Sequence, residues 1–211
     1  MTAIKVCGLN NYSNLQQVLS LQPDLVGHIF YPKSSRAVGD QFLEEIKDLD
    51  YKQAKKVAVV VNRDLEDLVR IIDEYNFDAV QLHGDETPEY VAELKSKSPK
   101  IKLIKAFQVD SDFSFDLTEA YRPLVDYFLF DTKSDGYGGS GQTFSWDLLK
   151  KYNGDIPYIL SGGLSPSNFQ SAVQFATKNP LCQMLDLNSG FESQTEPLPG
   201  IKNIDSLKEV L

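Results

Sequence analysis

Short apolar runs rich in β-branched residues recur along the chain at residues 3–7, 24–30, 57–61, 78–82, 101–106, 126–131, 157–161 and 182–187. Each has the length and the bounding turn residues of a buried strand. By subtraction, their starts lie 21, 33, 21, 23, 25, 31 and 25 residues apart. Between the runs the apolar period changes. Leu65, Leu68, Val69 and Ile72, and later Phe169, Ala172, Val173 and Ala176, follow the i, i+3, i+4, i+7 spacing of a helix with one buried face. Thr87-Pro88 and Ser165-Pro166 each set a capping side chain before a proline at a first helical position. Ile204, Leu207 and Val210 predict a last helix.

Eight strand–helix repeats without a break in composition predict an α/β fold, a (β/α)8 TIM barrel built as one domain over residues 1–211. An open doubly wound sheet is the alternative, and the regular count favours closure. The chain is near the lower end of the roughly 200 to 400 residues such barrels occupy, so its loops must be short. The fifth unit is the weakest: residues 110–121 are aromatic but poorly periodic, which predicts a partly irregular helix.

Composition narrows the function classes. With 42% hydrophobic and 24% charged residues the chain is ordinary for a soluble protein, and no apolar run approaches the roughly 18 residues of a membrane span. The amino terminus shows no basic segment followed by an apolar stretch, so a cytoplasmic location is expected. Net charge is −9 and the basic residues form no long cluster, which argues against nucleic acid. A small anionic substrate stays compatible, because a few placed cations and N–H groups can hold a phosphate against the overall field. Two cysteines and two dispersed histidines offer no metal-ligand spacing, and no metal is expected.

In a barrel, chemistry belongs at the carboxyl ends of the strands. There the sequence places Cys7 at the end of the first run, Arg36 in the loop after the second, His83 after the fourth and Asp131 at the end of the sixth. Cys7 and Asp131 outline an acid/base pair, although a lone strand cysteine is more often a small core hydrophobe. Gly162-Gly163 and Asn188-Ser189-Gly190 follow runs seven and eight, where barrels bind phosphate; a pair of tight turns is the plainer reading. Lys5 shares the face of Cys7 by the period of two, lies one layer deeper, and needs a counter-charge, for which Asp186 is the candidate. His28 sits inside a strand and reads as a core histidine, while His83 either contacts ligand or supports its loop. Cys182 begins the eighth run and lies ~16 Å from Cys7 at 3.3 Å per residue, too far for a disulfide. The segment 136–141 matches G-x-G-x-x-G but follows its strand too late for a dinucleotide site, and reads better as a glycine-hinged loop ahead of a helix capped by Thr143 near Phe144.

Seven co-linear segments carry a resemblance: Lys5-Val6-Cys7-Gly8-Leu9, Pro32-Lys33-Ser34-Ser35-Arg36, Val80-Gln81-Leu82-His83-Gly84, Phe130-Asp131, the stretch from Gly138 to Trp146, Gly162-Gly163-Leu164 and Ser189-Gly190-Phe191-Glu192. Together the chain resembles the phosphoribosylanthranilate isomerase family of tryptophan biosynthesis. Ser35, Ala37, His28 and Asn188 stand where that family commonly has proline, an aromatic residue, phenylalanine and serine. The resemblance implies a (β/α)8 barrel that converts N-(5′-phosphoribosyl)anthranilate to 1-(o-carboxyphenylamino)-1-deoxyribulose 5-phosphate by a cofactor-free Amadori rearrangement. It implies Asp131 as acid, Cys7 as base, Arg36 on the anthranilate carboxylate, and a small-molecule phosphosugar as substrate, with no nucleic acid or membrane partner. The rival readings are another phosphate-binding barrel isomerase or epimerase, and a catalytically silent barrel; the first would carry a second carboxylate where Cys7 stands.

Overall fold

The computed structural model describes residues 2–132, 146–193 and 198–211. Eight parallel strands pair in sequence order, and the last pairs back with the first, closing a barrel. They are β1 (Ala3–Cys7), β2 (Leu25–Ile29), β3 (Lys55–Val60), β4 (Ala79–Leu82), β5 (Lys102–Val109), β6 (Tyr127–Thr132), β7 (Tyr158–Ser161) and β8 (Cys182–Leu187). The open-sheet alternative is excluded. At the closing seam the Cα atoms of Lys5 and Asp186 lie opposite one another.

The period of two sorts the side chains into two cores. Val57, Val59, Ala79, Ile104, Leu129, Ile159 and Met184 point inward and pack as one cluster. Their neighbours Ala58, Val60, Val80, Leu103, Phe128, Phe130, Leu160 and Leu185 point outward and meet the helices. Strands buried on both faces read as continuous apolar runs, which is why all eight are visible in sequence.

The amino ends are tied by a repeated device. The sequence pattern puts Asp24, Asp78 and Asp126 inside strands, but each precedes its strand by one residue and turns its carboxylate onto the strand before. Asp24 Oδ2 accepts from the Ile4 N–H at 2.7 Å, Asp78 Oδ2 from Lys56 at 2.9 Å, and Asp126 Oδ2 from Leu103 at 2.9 Å. Backbone donors at the sheet's amino rim are thereby satisfied, and β1, β3 and β5 are each clamped to the next strand.

The helices are α1 (Tyr12–Ser20), α2 (Asp40–Ile46), α3 (Leu65–Tyr75), α4 (Pro88–Lys97), α5 (Phe169–Lys178) and α6 (Ile204–Lys208). Thr87 caps α4 by accepting from the Tyr90 N–H at 3.3 Å, with Pro88 at its first position, as the sequence predicts. Ser165-Pro166 does not cap α5. That helix starts later, at Phe169, because Asn168 Oδ1 accepts from the Ser165 N–H at 2.9 Å and holds the intervening residues in turns. The fifth unit is irregular as expected: a 3-10 helix spans Phe115–Tyr121, and another spans Trp146–Lys151 after β6. Rings replace the missing helical stripe. Phe115, Tyr152 and Tyr158 pack against Phe130 with centroids 5.2–5.4 Å apart, and so cover β6 with few positions. Thr143, Phe144 and the 136–141 segment lie outside the described residues. No helix among those described is long and apolar enough to cross a membrane.

His28 faces outward from β2 and is fully buried among Phe42, Tyr51 and Phe77. Its Nδ1 lies 2.8 Å from the Leu9 carbonyl and its Nε2 3.0 Å from the Tyr51 hydroxyl. Burial pushes this imidazole down to about 4, only partly countered by the bond to Leu9. The folded ring stays neutral while the unfolded one gains a proton below about 6.5, so stability is full above that pH and is lost as pH falls toward 4. The separation corresponds to roughly 3 kcal/mol. Between pH 7 and pH 4 the parent should therefore lose about that much more stability than His28→Phe in urea unfolding. Equal pH dependence in the two proteins would mean that His28 is not held neutral.

Candidate active site

Alternation on β1 carries Lys5 and Cys7 to the inward face, one layer apart. Lys5 has no exposed surface, and its Nζ donates to Asp186 Oδ1 at 2.8 Å. Asp186 Oδ2 accepts from the Ser161 hydroxyl at 3.2 Å, so the carboxylate joins β1, β7 and β8. On β2 the residue opposite Cys7 is Gly27. A Cβ there would stand 2.8 Å from Cys7 Sγ and 3.3 Å from Lys5 Nζ, so only glycine leaves room for thiol and ammonium side by side. Burial would lower the Lys5 ammonium, but Asp186 and Cys7 outweigh it and hold Lys5 above its ordinary value. Burial pushes the Cys7 thiol up, the Lys5 cation pulls it down, Asp186 pushes it up again, and the balance is upward.

Asp131 is inward on β6, with its Cα opposite Gln108 and Ser161. Its side chain is 30% exposed and Oδ2 lies 3.6 Å from His83 Nε2, slightly beyond a hydrogen bond. His83 directly follows β4, and its N–H donates to the Val60 carbonyl at 2.8 Å. Beneath that loop is a buried pair that sequence reasoning missed. Lys105 Nζ donates to Glu86 Oε2 at 3.1 Å and to the Gly84 carbonyl at 2.6 Å, while Glu86 accepts from the N–H groups of Asn62 and Gly84. The pair holds the loops after β3 and β4 together.

Arg36, from the loop after β2, presents its fork to Glu192: Nε to Oε1 is 2.5 Å and Nη2 to Oε2 is 2.8 Å. Glu192 also accepts from buried Lys202 at 3.1 Å and from the Gly200 N–H at 3.1 Å. Burial would raise the Glu192 carboxyl, but Arg36 and Lys202 hold it below its ordinary range. Burial wins at Lys202, which lies below the usual ammonium range despite Glu192. Glu192 was visible within a quoted segment, but its partner is 156 positions away and no local spacing announces the pair.

The two glycine turns are in contact. Gly162 and Gly163 follow β7 at φ +90° and +65°, and a Cβ on Gly190 would come 2.0 Å from the Leu164 carbonyl oxygen. Ser189–Phe191 forms one turn of 3-10 helix after β8. Asn188 turns its Oδ1 to Lys202 Nζ at 3.0 Å and lies over Gly8, where an added Cβ would meet it at 2.7 Å and Arg36 Cδ at 2.9 Å. Thus Cys7, Arg36, Asn188 and both turns form one side of the mouth, and Asp131 with His83 another.

Side chains capable of acid, base and anion recognition thus meet at the carboxyl ends of the strands, above the Lys5–Asp186 pair and the apolar barrel core, which is the plan of a (β/α)8-barrel enzyme. A family model described as N-(5′-phosphoribosyl)anthranilate isomerase matches residues 4–211. The N-(5′-phosphoribosyl)anthranilate isomerase of Parabacteroides distasonis is 40% identical over 99% of this chain and 91% of its own length. The crystal structure of phosphoribosylanthranilate isomerase from Thermotoga maritima superposes with a TM-score of 0.79 at 32% identity, covering 99% of this chain and 96% of that one. A structure of phosphoribosylanthranilate isomerase holding reduced 1-(o-carboxyphenylamino)-1-deoxyribulose 5-phosphate matches at TM-score 0.79 and 30% identity over 99% and 95%. The chain belongs to the N-(5′-phosphoribosyl)anthranilate isomerase family, and it is an isomerase of tryptophan biosynthesis.

The seam makes a prediction of its own. Lys5→Met strands the Asp186 carboxylate without its cation and should cost about 3–5 kcal/mol in urea unfolding, the scale for breaking a buried pair. Lys5→Met combined with Asp186→Leu should recover most of that loss. A double variant as unstable as the single would mean that the two charges are not coupled.

Proposed function

We propose that the mouth of this barrel, as one domain over residues 1–211 and in the cytoplasm, carries out the Amadori rearrangement with Asp131 as general acid and Cys7 as general base. The substrate is a small phosphosugar, N-(5′-phosphoribosyl)anthranilate. Asp131 gives its proton to the ribose ring oxygen as the C1′–O4′ bond breaks and the nitrogen lone pair closes a Schiff base. The Cys7 thiolate then takes the C2′ proton, leaving an enolamine that tautomerises to the ketone. One proton is given, one is taken, and no electron leaves the substrate.

The observation that carries the reading is that Cys7 and Asp131 both end inward on their strands at the same mouth, with the Lys5 ammonium beside the thiol. That cation pulls Cys7 toward the thiolate and so offsets part of the burial that holds the thiol protonated. Arg36 would meet the anthranilate carboxylate with the part of its fork that Glu192 does not occupy. The substrate phosphate would lie against Gly162, Gly163, Asn188, Ser189 and Gly190, where touching turns offer backbone N–H groups to an anion. His83 would steady the substrate beside Asp131. The reduced 1-(o-carboxyphenylamino)-1-deoxyribulose 5-phosphate held by the related crystal structure supports a ligand of this shape.

Turnover of phosphoribosylanthranilate is the direct test, and its absence in the folded protein would leave the silent-barrel reading. Cys7→Ala should depress turnover by at least ~100-fold, the lower range for losing a positioned base. Asp131→Asn should bind a product analogue with parent affinity while losing turnover; loss of affinity alone would make Asp131 a binding residue.

A further inference from the structure

Gln81 lies two residues before His83 and points the same way into the barrel. It is 1% exposed, and its Nε2 stands 2.7 Å from His83 Nδ1. Among the described residues, its Oε1 is buried without a hydrogen-bond partner. An orphan acceptor of this kind costs about 1–3 kcal/mol and needs an explanation.

We propose that Gln81 is a positioning residue: its amide sets the tautomer of His83 and so decides what the imidazole presents to Asp131. The inference rests on the reading of Asp131 as the acid. With the amide N–H donating to Nδ1, the ring proton sits on Nε2 and points at the Asp131 carboxylate 3.6 Å away, which suits an ionised acid. An inverted amide would accept from Nδ1–H and turn the Nε2 lone pair toward Asp131, which suits a protonated acid. Asp131 passes through both states when it gives up and regains its proton. A primary amide can serve either tautomer, and because Oε1 accepts no hydrogen bond from the described residues, inversion breaks no second one among them. An apolar residue at position 81 would serve neither state, and a carboxylate only one.

The chain has two histidines, so nitrogen-15 NMR of histidine-labelled protein resolves them, with His28→Phe assigning the other signal. At a pH where the ring is neutral and Asp131 ionised, His83 should carry its proton on Nε2. Gln81→Met should lose that preference and lower kcat ~10- to 100-fold, the scale for removing a partner that orients a functional histidine. KM should change by less than about two-fold, because the residue acts on the chemical step. Gln81→Glu should put the proton on Nδ1. A parent with Nδ1 protonated overturns the proposal, even if no variant folds. So does a folded Gln81→Met that keeps the parent tautomer or the parent kcat. If Asp131→Asn retains turnover, the acid assignment fails instead, while the tautomer measurements still decide whether Gln81 sets the ring.

Discussion

The ion pair between Lys5 and Asp186 is the constraint on which the rest of the barrel depends. It joins the first strand to the last across 181 positions, at the seam where a closed barrel differs from an open sheet. Two charges taken out of water are stable only if their geometry and remaining hydrogen bonds are satisfied. Here the Ser161 hydroxyl takes the second carboxylate oxygen, and the ammonium lies beside the Cys7 thiol. A slip of one residue between β1 and β8 would place one charge inside and the other among the helices. The pair therefore fixes the register of closure, and with it the height at which Cys7 stands.

Above that level the rim is braced from outside by two further buried charge groups. Glu86 and Lys105 gather the backbone of the loops after β3 and β4, which fixes the place where His83 leaves its strand. Glu192 and Lys202 do the same on the opposite side, reaching Arg36, Asn188 and Gly200. Lys202 is itself tied to α1, since Asn14 bonds both its N–H and its carbonyl at 2.8 and 3.0 Å. The chain end thus returns to lock an arginine supplied from near its start. Held in a carboxylate fork, Arg36 loses its rotamer freedom on folding rather than on meeting a ligand, and that preorganisation favours recognition of an anion.

The architecture was legible because it repeats. Apolar runs at steady intervals are enough to count eight strands, and the inward partner of Lys5 followed from the closure rule alone. What was hidden has two physical origins. Strand edges were blurred where polar residues do backbone work: Asp24, Asp78 and Asp126 look like strand starts but are clamps on a neighbour. The delayed start of α5 is similar, because Ser165-Pro166 carries a valid capping signal that the Asn168 side chain overrides locally. The bracing pairs were hidden for the opposite reason: Glu192 and Arg36 are ordinary surface residues until the fold brings them together. Gln81 could have been found, since it shares a face with His83 by the same alternation that linked Lys5 to Cys7.

The two histidines show how far that alternation decides chemistry. On β2, Gly27 faces the barrel axis, so His28 must face the helices, where Leu9 and Tyr51 satisfy both ring nitrogens and burial keeps it neutral. On β4, Gln81 faces the axis, so His83 emerges at the mouth with 27% of its side chain exposed, one nitrogen on Gln81 and the other turned to a carboxylate. The same imidazole is a sealed strut in one place and an addressable group in the other, and strand parity is what separates them. The sulfur atoms divide in the same way by position along a strand. Cys182 opens β8 at the closed amino end, where burial pushes its thiol up to about 12 and it behaves as a small apolar residue, whereas Cys7 ends β1 beside a cation. In this fold residue type sets what a side chain could do; face and height on the strand select the few that stand where a substrate can reach them.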